Sequence, residues 1–216
     1  MATRRSTTVL AGVSLTARVV AGCGSNDATE EPTVQTPPAS SAATATDMLP
    51  VPDTSGGAFV LPGTALTEDN NAFTYNEAAV PVGSTVNIES DENDGRTTIT
   101  LDATGLAPNR DFGVHVHTQP CGPAPADSGP HYQNTVDPAA TPQAPSSDPA
   151  YANPQNEIWL DITTDPGGNA QASTTVDWEF RPGEAKSVVV HDQHTQTAPG
   201  QAGMAGDRLA CIDEDF

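Results

Sequence analysis

Residues 85–102 read Thr-Val-Asn-Ile-Glu-Ser-Asp-Glu-Asn-Asp-Gly-Arg-Thr-Thr-Ile-Thr-Leu-Asp. Apolar and polar side chains alternate on both sides of an acidic turn, and an alternation with a period of two is typical of a β-strand with one buried face. The stretch therefore predicts a β-hairpin.

Other short β-prone runs follow at similar spacing, and no long segment has a convincing helical period. They lie at residues 112–117, 157–163, 170–180, 185–191 and 209–212. Several strands without intervening helices favour an all-β fold, an antiparallel sandwich or barrel. The 25 residues at 132–156 are rich in Pro, Ala and Ser and are too long for an ordinary turn, and loops of that size tend to be functional or mobile.

The first 23 residues have the parts of an export signal, namely a basic start, a short apolar run at 9–13 and small residues before Cys23. The ending Val20-Ala21-Gly22-Cys23 resembles the lipobox of bacterial lipoproteins, in which the Cys is lipidated and becomes the mature N-terminus. The alternative is a buried or incidental Cys23. The sequence thus predicts an exported cell-envelope lipoprotein.

The segment 24–70 is dominated by Thr, Pro, Ala and Ser and has few large side chains. Such a composition buries too little apolar surface to offset the entropy of ordering the chain. We expect a disordered tether there, with a folded domain at 71–216.

The formal charge of the 216 residues is −20, and after Cys23 the chain has 5 cations against 28 acids, a formal charge of −23. Nucleic acids and anionic membrane surfaces need a basic patch, which so few cations cannot form. We therefore expect no nucleic-acid partner and a membrane contact only through a lipid at Cys23.

Metal chemistry is indicated by four of the five His. His115 and His117 lie two apart on a predicted strand, so both project from one face and can reach one ion. His131 follows at long range, and His191 ends an apolar strand. Imidazole is the commonest protein ligand for copper and zinc.

Four segments resemble the copper/zinc superoxide dismutase family in the family's order. Gly-Leu-Ala-Pro-Asn-Arg-Asp-Phe-Gly-Val-His-Val-His at 105–117 resembles the segment leading into the copper site. Gly-Pro-His-Tyr at 129–132, Val-Val-His at 189–191 and Gly-Asp-Arg-Leu-Ala-Cys at 206–211 resemble three later motifs. The resemblance covers about 145 residues of the chain and implies an eight-stranded Greek-key β-barrel, an immunoglobulin-like arrangement.

The resemblance also implies a site and an activity, the dismutation of superoxide to O2 and hydrogen peroxide at copper. It implies Arg208 as the cation that positions superoxide, His131 as a proton carrier, and a disulfide between Cys121 and Cys211. With Cys23 lipidated, no odd thiol would remain in an oxidising compartment. The implied copper ligands are His115, His117, His131 and His191.

The chain departs from the family at the zinc site, where further His and an Asp are expected in the loop that follows His131. Residues 132–156 contain no His, and their acids are Asp137 and Asp148. A zinc site built mainly from imidazoles cannot be assembled from them, so we predict copper alone, with zinc absent. Glu157 is expected either to orient a copper ligand by a hydrogen bond or to be a solvated acid, and Asp161 is a second candidate for the orienting role.

The second departure is the segment 192–207, which has no Lys or Arg where the family guides superoxide with charges. His194 in this segment could be a fifth copper contact, a proton donor or an exposed loop residue. Two other functions compete with the enzyme: an envelope copper buffer or donor without turnover, and an adhesive β-sandwich with incidental His. Dimer interfaces vary among bacterial relatives, and we favour a monomer.

Overall fold

The computed structural model describes residues 53–64, 71–141 and 143–216. These residues form nine β-strands and one 3-10 helix, Pro125–Ser128, which confirms the predicted all-β class. The strands are β1 Asp53–Val60, β2 Ala72–Thr74, β3 Thr85–Asn93, β4 Arg96–Thr104, β5 Asp111–His117, β6 Ile162–Thr163, β7 Ala170–Val176, β8 Ser187–His191 and β9 Arg208–Asp213.

The nine strands of the described residues make one sheet with the order β6-β5-β8-β9-β2-β1-β3-β4-β7. All neighbours are antiparallel except β1 and β2, which are parallel. The edge strands β6 and β7 contact each other, so the sheet is a nearly closed barrel. The barrel form is as predicted, with nine strands rather than eight.

The predicted hairpin is formed by β3 and β4, which pair from Thr85↔Thr104 to Asn93↔Arg96. Asp94 and Gly95 connect them with φ of 53° and 77°, as a two-residue Asp-Gly hairpin turn requires. Val86 and Ile88 on β3 and Ile99 and Leu101 on β4 all point into the core. On the outer face, Thr and Ser hydroxyls of β4 and β7 pair across the strands.

β1 lies inside the range 24–70 that the composition assigns to a tether, so the folded domain includes residues before 71. Its backbone pairs with β3 from Asp53↔Ser90 to Ala58↔Thr85. The strand has few large side chains, but Phe59 is only 1% exposed. Small residues suit the close pairing, since a Cβ on Gly56 would lie 2.3 Å from the Val86 carbonyl oxygen. Residues 24–52 and 65–70 of the predicted tether, together with the export signal and Cys23, lie outside the described residues.

A disulfide joins Cys121 to Cys211, as predicted. It connects the loop after β5 to β9 across 90 residues of sequence. Closing a loop of this length stabilises a fold by about 4.6 kcal/mol in the chain-entropy model. Among the described residues, no helix has the length and apolar character that a membrane crossing requires.

Candidate metal centre

Four His side chains meet at the side of the barrel formed by β5 and β8. His115 and His117 project from the same face of β5, and His191 ends β8, where Gly113 pairs with His191. His131 follows the bend at Gly129 and forms a β-bridge with His117. One ring nitrogen from each imidazole lies within 4.8 Å of the others. In the described part of the chain, these four side chains form the one cluster with the geometry of a metal site.

Three imidazoles of the cluster are buried and the fourth is partly exposed. His115, His117 and His191 are buried, whereas the side chain of His131 is 18% exposed. Nδ1 of His115 lies 2.9 Å from Nε2 of His131, and Nε2 of His117 lies 3.2 Å from Nε2 of His191. These four nitrogens therefore face a common point, and His131 lies at its solvent side.

Backbone carbonyls fix the outer nitrogens of two imidazoles of the cluster. Nδ1 of His117 lies 2.9 Å from the Gly129 carbonyl oxygen, and Nδ1 of His191 lies 3.3 Å from that of Gly206. A carbonyl only accepts, so each Nδ1 carries the proton and each Nε2 presents a lone pair to the cluster. Gly129 and Gly206 have φ of 70° and 81°, a conformation that glycine adopts without strain.

A buried carboxylate holds the outer nitrogen of His131. Oε2 of Glu157 lies 3.1 Å from Nδ1 of His131 and also accepts from Nε1 of Trp159 at 2.8 Å. Oε1 of Glu157 accepts from Nε2 of Gln133 at 2.8 Å. Glu157 is 2% exposed, so it is a hydrogen-bond acceptor of the site and not a solvated acid.

A hydroxyl holds the outer nitrogen of His115. Oγ1 of Thr195 lies 2.7 Å from Nε2 of His115. Asp161 accepts from both the hydroxyl and the backbone N–H of Thr195, at 2.6 and 2.8 Å. Sequence reasoning missed Thr195, because a Thr in a polar loop carries no pattern that indicates its contacts. It also missed Trp159 and Gln133.

Burial sets the protonation of the cluster. Desolvation lowers the pKa of His115 and of His117 well below the usual range of an imidazole, and the neighbouring imidazoles lower it further. Desolvation also lowers the pKa of His191 to about 3. Neutral imidazoles are the form that ligates metals, and a set of them suits copper, zinc, iron or nickel. The donor set therefore fits copper.

A cavity of about 740 Å³ opens beside the cluster, and His131, His191 and Arg208 all line it. Nη1 of Arg208 donates to the Pro125 carbonyl at 3.0 Å and to Oγ of Ser128 at 2.9 Å. Partial burial lowers the pKa of Arg208, and a guanidinium stays protonated in proteins. A positive charge thus lies in the wall of the cavity that leads to the imidazoles.

The two acids of the long loop are engaged elsewhere. Asp137 accepts from the Ala139 backbone N–H and from Oγ of Ser146, and hydrogen bonding to Ser146 lowers its pKa. Asp148 accepts from the Ala150 backbone N–H. Neither belongs to the His cluster.

His194 also lies outside the cluster. Its Nε2 is 3.0 Å from the Ile162 carbonyl, 3.3 Å from Oγ1 of Thr163 and 3.6 Å from Oδ1 of Asp111. Its side chain is 45% exposed. Of the three alternatives for this residue, the geometry agrees with an exposed loop residue.

The comparison with known families matches residues 82–212 to the model of the copper/zinc superoxide dismutase (SODC) family. The chain belongs to the copper/zinc superoxide dismutase family. The matched range contains all four His of the cluster together with Glu157, Arg208 and the disulfide. No curated protein sequence matches the chain.

Solved structures similar to this chain include superoxide dismutase-like proteins from two bacteria. Cu/Zn superoxide dismutase from Brucella abortus is 21% identical, with 66% of this chain and 96% of that chain covered and a TM-score of 0.44. A double mutant of a SOD-like protein from Bacillus subtilis is 18% identical, with 61% and 90% covered and a TM-score of 0.43.

Proposed function

We propose that the protein dismutes superoxide at a single copper ion held by His115, His117, His131 and His191. Copper bound there would supply one-electron transfer in both directions, so that one superoxide leaves as O2 and another, with two protons, as hydrogen peroxide. The observation that carries the proposal is the position of Arg208 in the same cavity wall as His131 and His191. Copper storage has no use for a cation beside a cationic metal.

Arg208 would attract and orient the superoxide anion. The chain after Cys23 has a formal charge of −23, which repels an anion at long range. Nη1 is held by the Pro125 carbonyl and Oγ of Ser128, so the charge is fixed in the cavity wall. Fixed charges of this kind stabilise a bound anion without reorganisation.

His131 would deliver protons, because it is the most exposed imidazole of the cluster. Water in the cavity can reach its ring, and because Nδ1 faces Glu157, Nε2 is the nitrogen that would take up and release the proton. Proton transfer by a positioned imidazole contributes typically 10²- to 10⁴-fold to a rate.

We propose that zinc has no site beside the copper. In a zinc-containing member, Nδ1 of the residue at the position of His131 would face the second metal, and here that nitrogen donates to Glu157. Residues 132–156 supply no imidazole. The carboxylate of Glu157 thus takes over the orientation of His131.

We further propose that the protein acts in the cell envelope, anchored by a lipid at Cys23, as a monomer. The disulfide agrees with an oxidising, extracytoplasmic compartment. The formal charge of −23 disfavours direct contact of the protein with anionic membrane surfaces, so the lipid would be its membrane contact.

A copper buffer is the second candidate. The observation that favours it is the segment 192–207, which has no Lys or Arg to guide an anion. In that case, copper would be bound without turnover.

The Arg208→Ala variant tests the enzyme against the buffer. We expect at least about a tenfold fall in the rate of superoxide consumption per copper, since the variant loses the guanidinium that lines the cavity together with His131 and His191. Added salt should narrow the difference, because it screens the attraction in the wild type and the repulsion in the variant. The matched control is Arg96→Ala, which removes the same charge from an exposed pair with Asp177.

An Arg208→Ala rate equal to that of Arg96→Ala at every salt concentration would refute the role of Arg208. Copper-loaded wild type without turnover would instead support the buffer.

A further inference from the structure

We propose that Thr195 and Asp161 are positioning residues that keep the ring proton of His115 on Nε2, so that Nδ1 is free to ligate copper. The inference deepens the proposed function and rests on copper as the metal of the cluster. It concerns the one ligand of the four whose cluster-facing nitrogen is Nδ1.

The contacts form a chain from the ligand to a carboxylate. Nε2 of His115 lies 2.7 Å from Oγ1 of Thr195, and that hydroxyl lies 2.6 Å from Oδ1 of Asp161. The second carboxylate oxygen accepts the Thr195 backbone N–H at 2.8 Å. Asp161 therefore accepts two hydrogen bonds from Thr195, and together they fix the orientation of the Thr195 hydroxyl.

The carboxylate of Asp161 determines which group donates in each of these hydrogen bonds. An ionised Asp161 only accepts, so the Thr195 hydroxyl donates its single hydrogen to Oδ1. The hydroxyl oxygen must then accept from His115, and Nε2 must carry the ring proton. A neutral imidazole has one ring proton, so Nδ1 keeps a lone pair that points at the cluster.

Because His115 is buried, its outer nitrogen depends on Thr195 and Asp161 for a hydrogen bond. His115 is fully buried, so water cannot replace Thr195 at Nε2. With the proton on Nδ1 instead, that nitrogen would donate to Nε2 of His131, 2.9 Å away, and would have no lone pair for a metal. An outer hydrogen bond that fixes the tautomer of a metal-bound His is typically worth 10- to 100-fold in metal affinity or activity.

The absence of a side chain at Gly113 lets the Thr195 hydroxyl approach His115. Gly113 lies two residues before His115 on β5, and a Cβ there would lie 2.7 Å from the Gln193 carbonyl oxygen and 3.4 Å from Oγ1 of Thr195. The segment 192–207 therefore packs directly on β5. Met204 lies in this segment and Arg208 follows it directly, and both line the cavity. The contact between the segment and β5 therefore fixes part of the cavity wall.

Four variants of full-length protein test the inference. Thr195→Val removes the hydroxyl at nearly constant shape, and Thr195→Ser keeps it. Thr197→Val makes the same change at an exposed position of the same segment and is the matched control. Asp161→Asn keeps the shape but replaces one acceptor oxygen with an NH2 donor. Either the hydrogen bond from the Thr195 backbone N–H is then lost, or the Thr195 hydroxyl accepts from the amide and donates to His115.

The readouts are copper affinity by chelator competition, the EPR spectrum of bound Cu(II), and the tautomer of His115 in metal-free protein by ¹⁵N NMR. We expect Thr195→Val and Asp161→Asn to bind copper about 10- to 100-fold more weakly, with an altered EPR spectrum. Thr195→Ser and Thr197→Val should match the wild type. In the metal-free wild type, the proton of His115 should be on Nε2.

Equal affinity and EPR spectra for Thr195→Val and Thr197→Val would overturn the inference, as would a wild-type His115 that is protonated on Nδ1. The proposed function fails separately. Copper-loaded wild type without superoxide turnover would contradict the enzyme, while the expected tautomer and affinity losses would still support the role of Thr195 and Asp161.

Discussion

Each imidazole of the cluster has one nitrogen turned outward to an acceptor of known type. Two of these acceptors are carbonyls, one is a carboxylate and one is a hydroxyl that a second carboxylate orients. The acceptors decide which nitrogen of each ring keeps a lone pair. The site is thus organised for a cation by groups that do not themselves contact it.

At the residue scale, the sequence predicted which imidazoles meet but not most of the groups that orient them. The pair His115 and His117 has a strand period that places both on one face, and His191 ends an apolar strand. Thr195 and Gln133 are common polar residues in loops, and their contacts depend on how two distant loops fold. No local pattern indicates such contacts.

Glu157→Gln tests the outer hydrogen bonds of His131. Three N–H donors converge on the two carboxylate oxygens, and an amide would turn its NH2 group toward at least one of them. Leaving a buried donor unpaired costs about 1–3 kcal/mol. We expect a loss of that size in the free energy of unfolding, measured in urea, together with weaker copper binding by chelator competition.

The control is Glu184→Gln, which removes an equal charge from the wall of the same cavity at an exposed position. Equal stability and copper affinity in the two variants would contradict the role assigned to Glu157.

At the element scale, the hairpin of β3 and β4 was predictable because alternation and an Asp-Gly turn act together over consecutive residues. β1 was not, because its pairing partner is distant in sequence and most of its residues are small. The predicted strand at 157–163 was predictable in part. Its alternation does send Glu157, Trp159 and Asp161 toward the site and Ile158 and Leu160 into the core, but only Ile162–Thr163 is a regular strand.

Phe59→Ala tests whether β1 belongs to the folded domain. Phe59 is 1% exposed and belongs to the core, and truncating a buried Phe typically costs 3–5 kcal/mol. We expect a loss of about that size in the free energy of unfolding, from urea or guanidinium titration. In a disordered tether the substitution would have no effect.

Leu61→Ala provides the comparison, since Leu61 follows β1 directly but is 46% exposed. A Phe59→Ala variant as stable as Leu61→Ala would show that β1 contributes nothing to the fold.

At the scale of the whole molecule, the barrel combines a strongly acidic chain with a proposed site for an anionic substrate. The formal charge of −20 includes three Arg in the first 23 residues and becomes −23 after Cys23. Such a charge repels nucleic acids and anionic surfaces at long range. Under the proposed function, capture of superoxide would depend on short-range attraction by the metal and by Arg208 in the cavity wall.

The most direct test of the account is the rate of superoxide consumption per bound copper, with copper and zinc determined by elemental analysis on the same sample. We predict one copper per chain without stoichiometric zinc, turnover in the wild type and in His194→Ala, and loss of turnover to background in His115→Ala. Stoichiometric copper without turnover in the wild type would contradict the central claim, and stoichiometric zinc beside copper would contradict the absence of a zinc site.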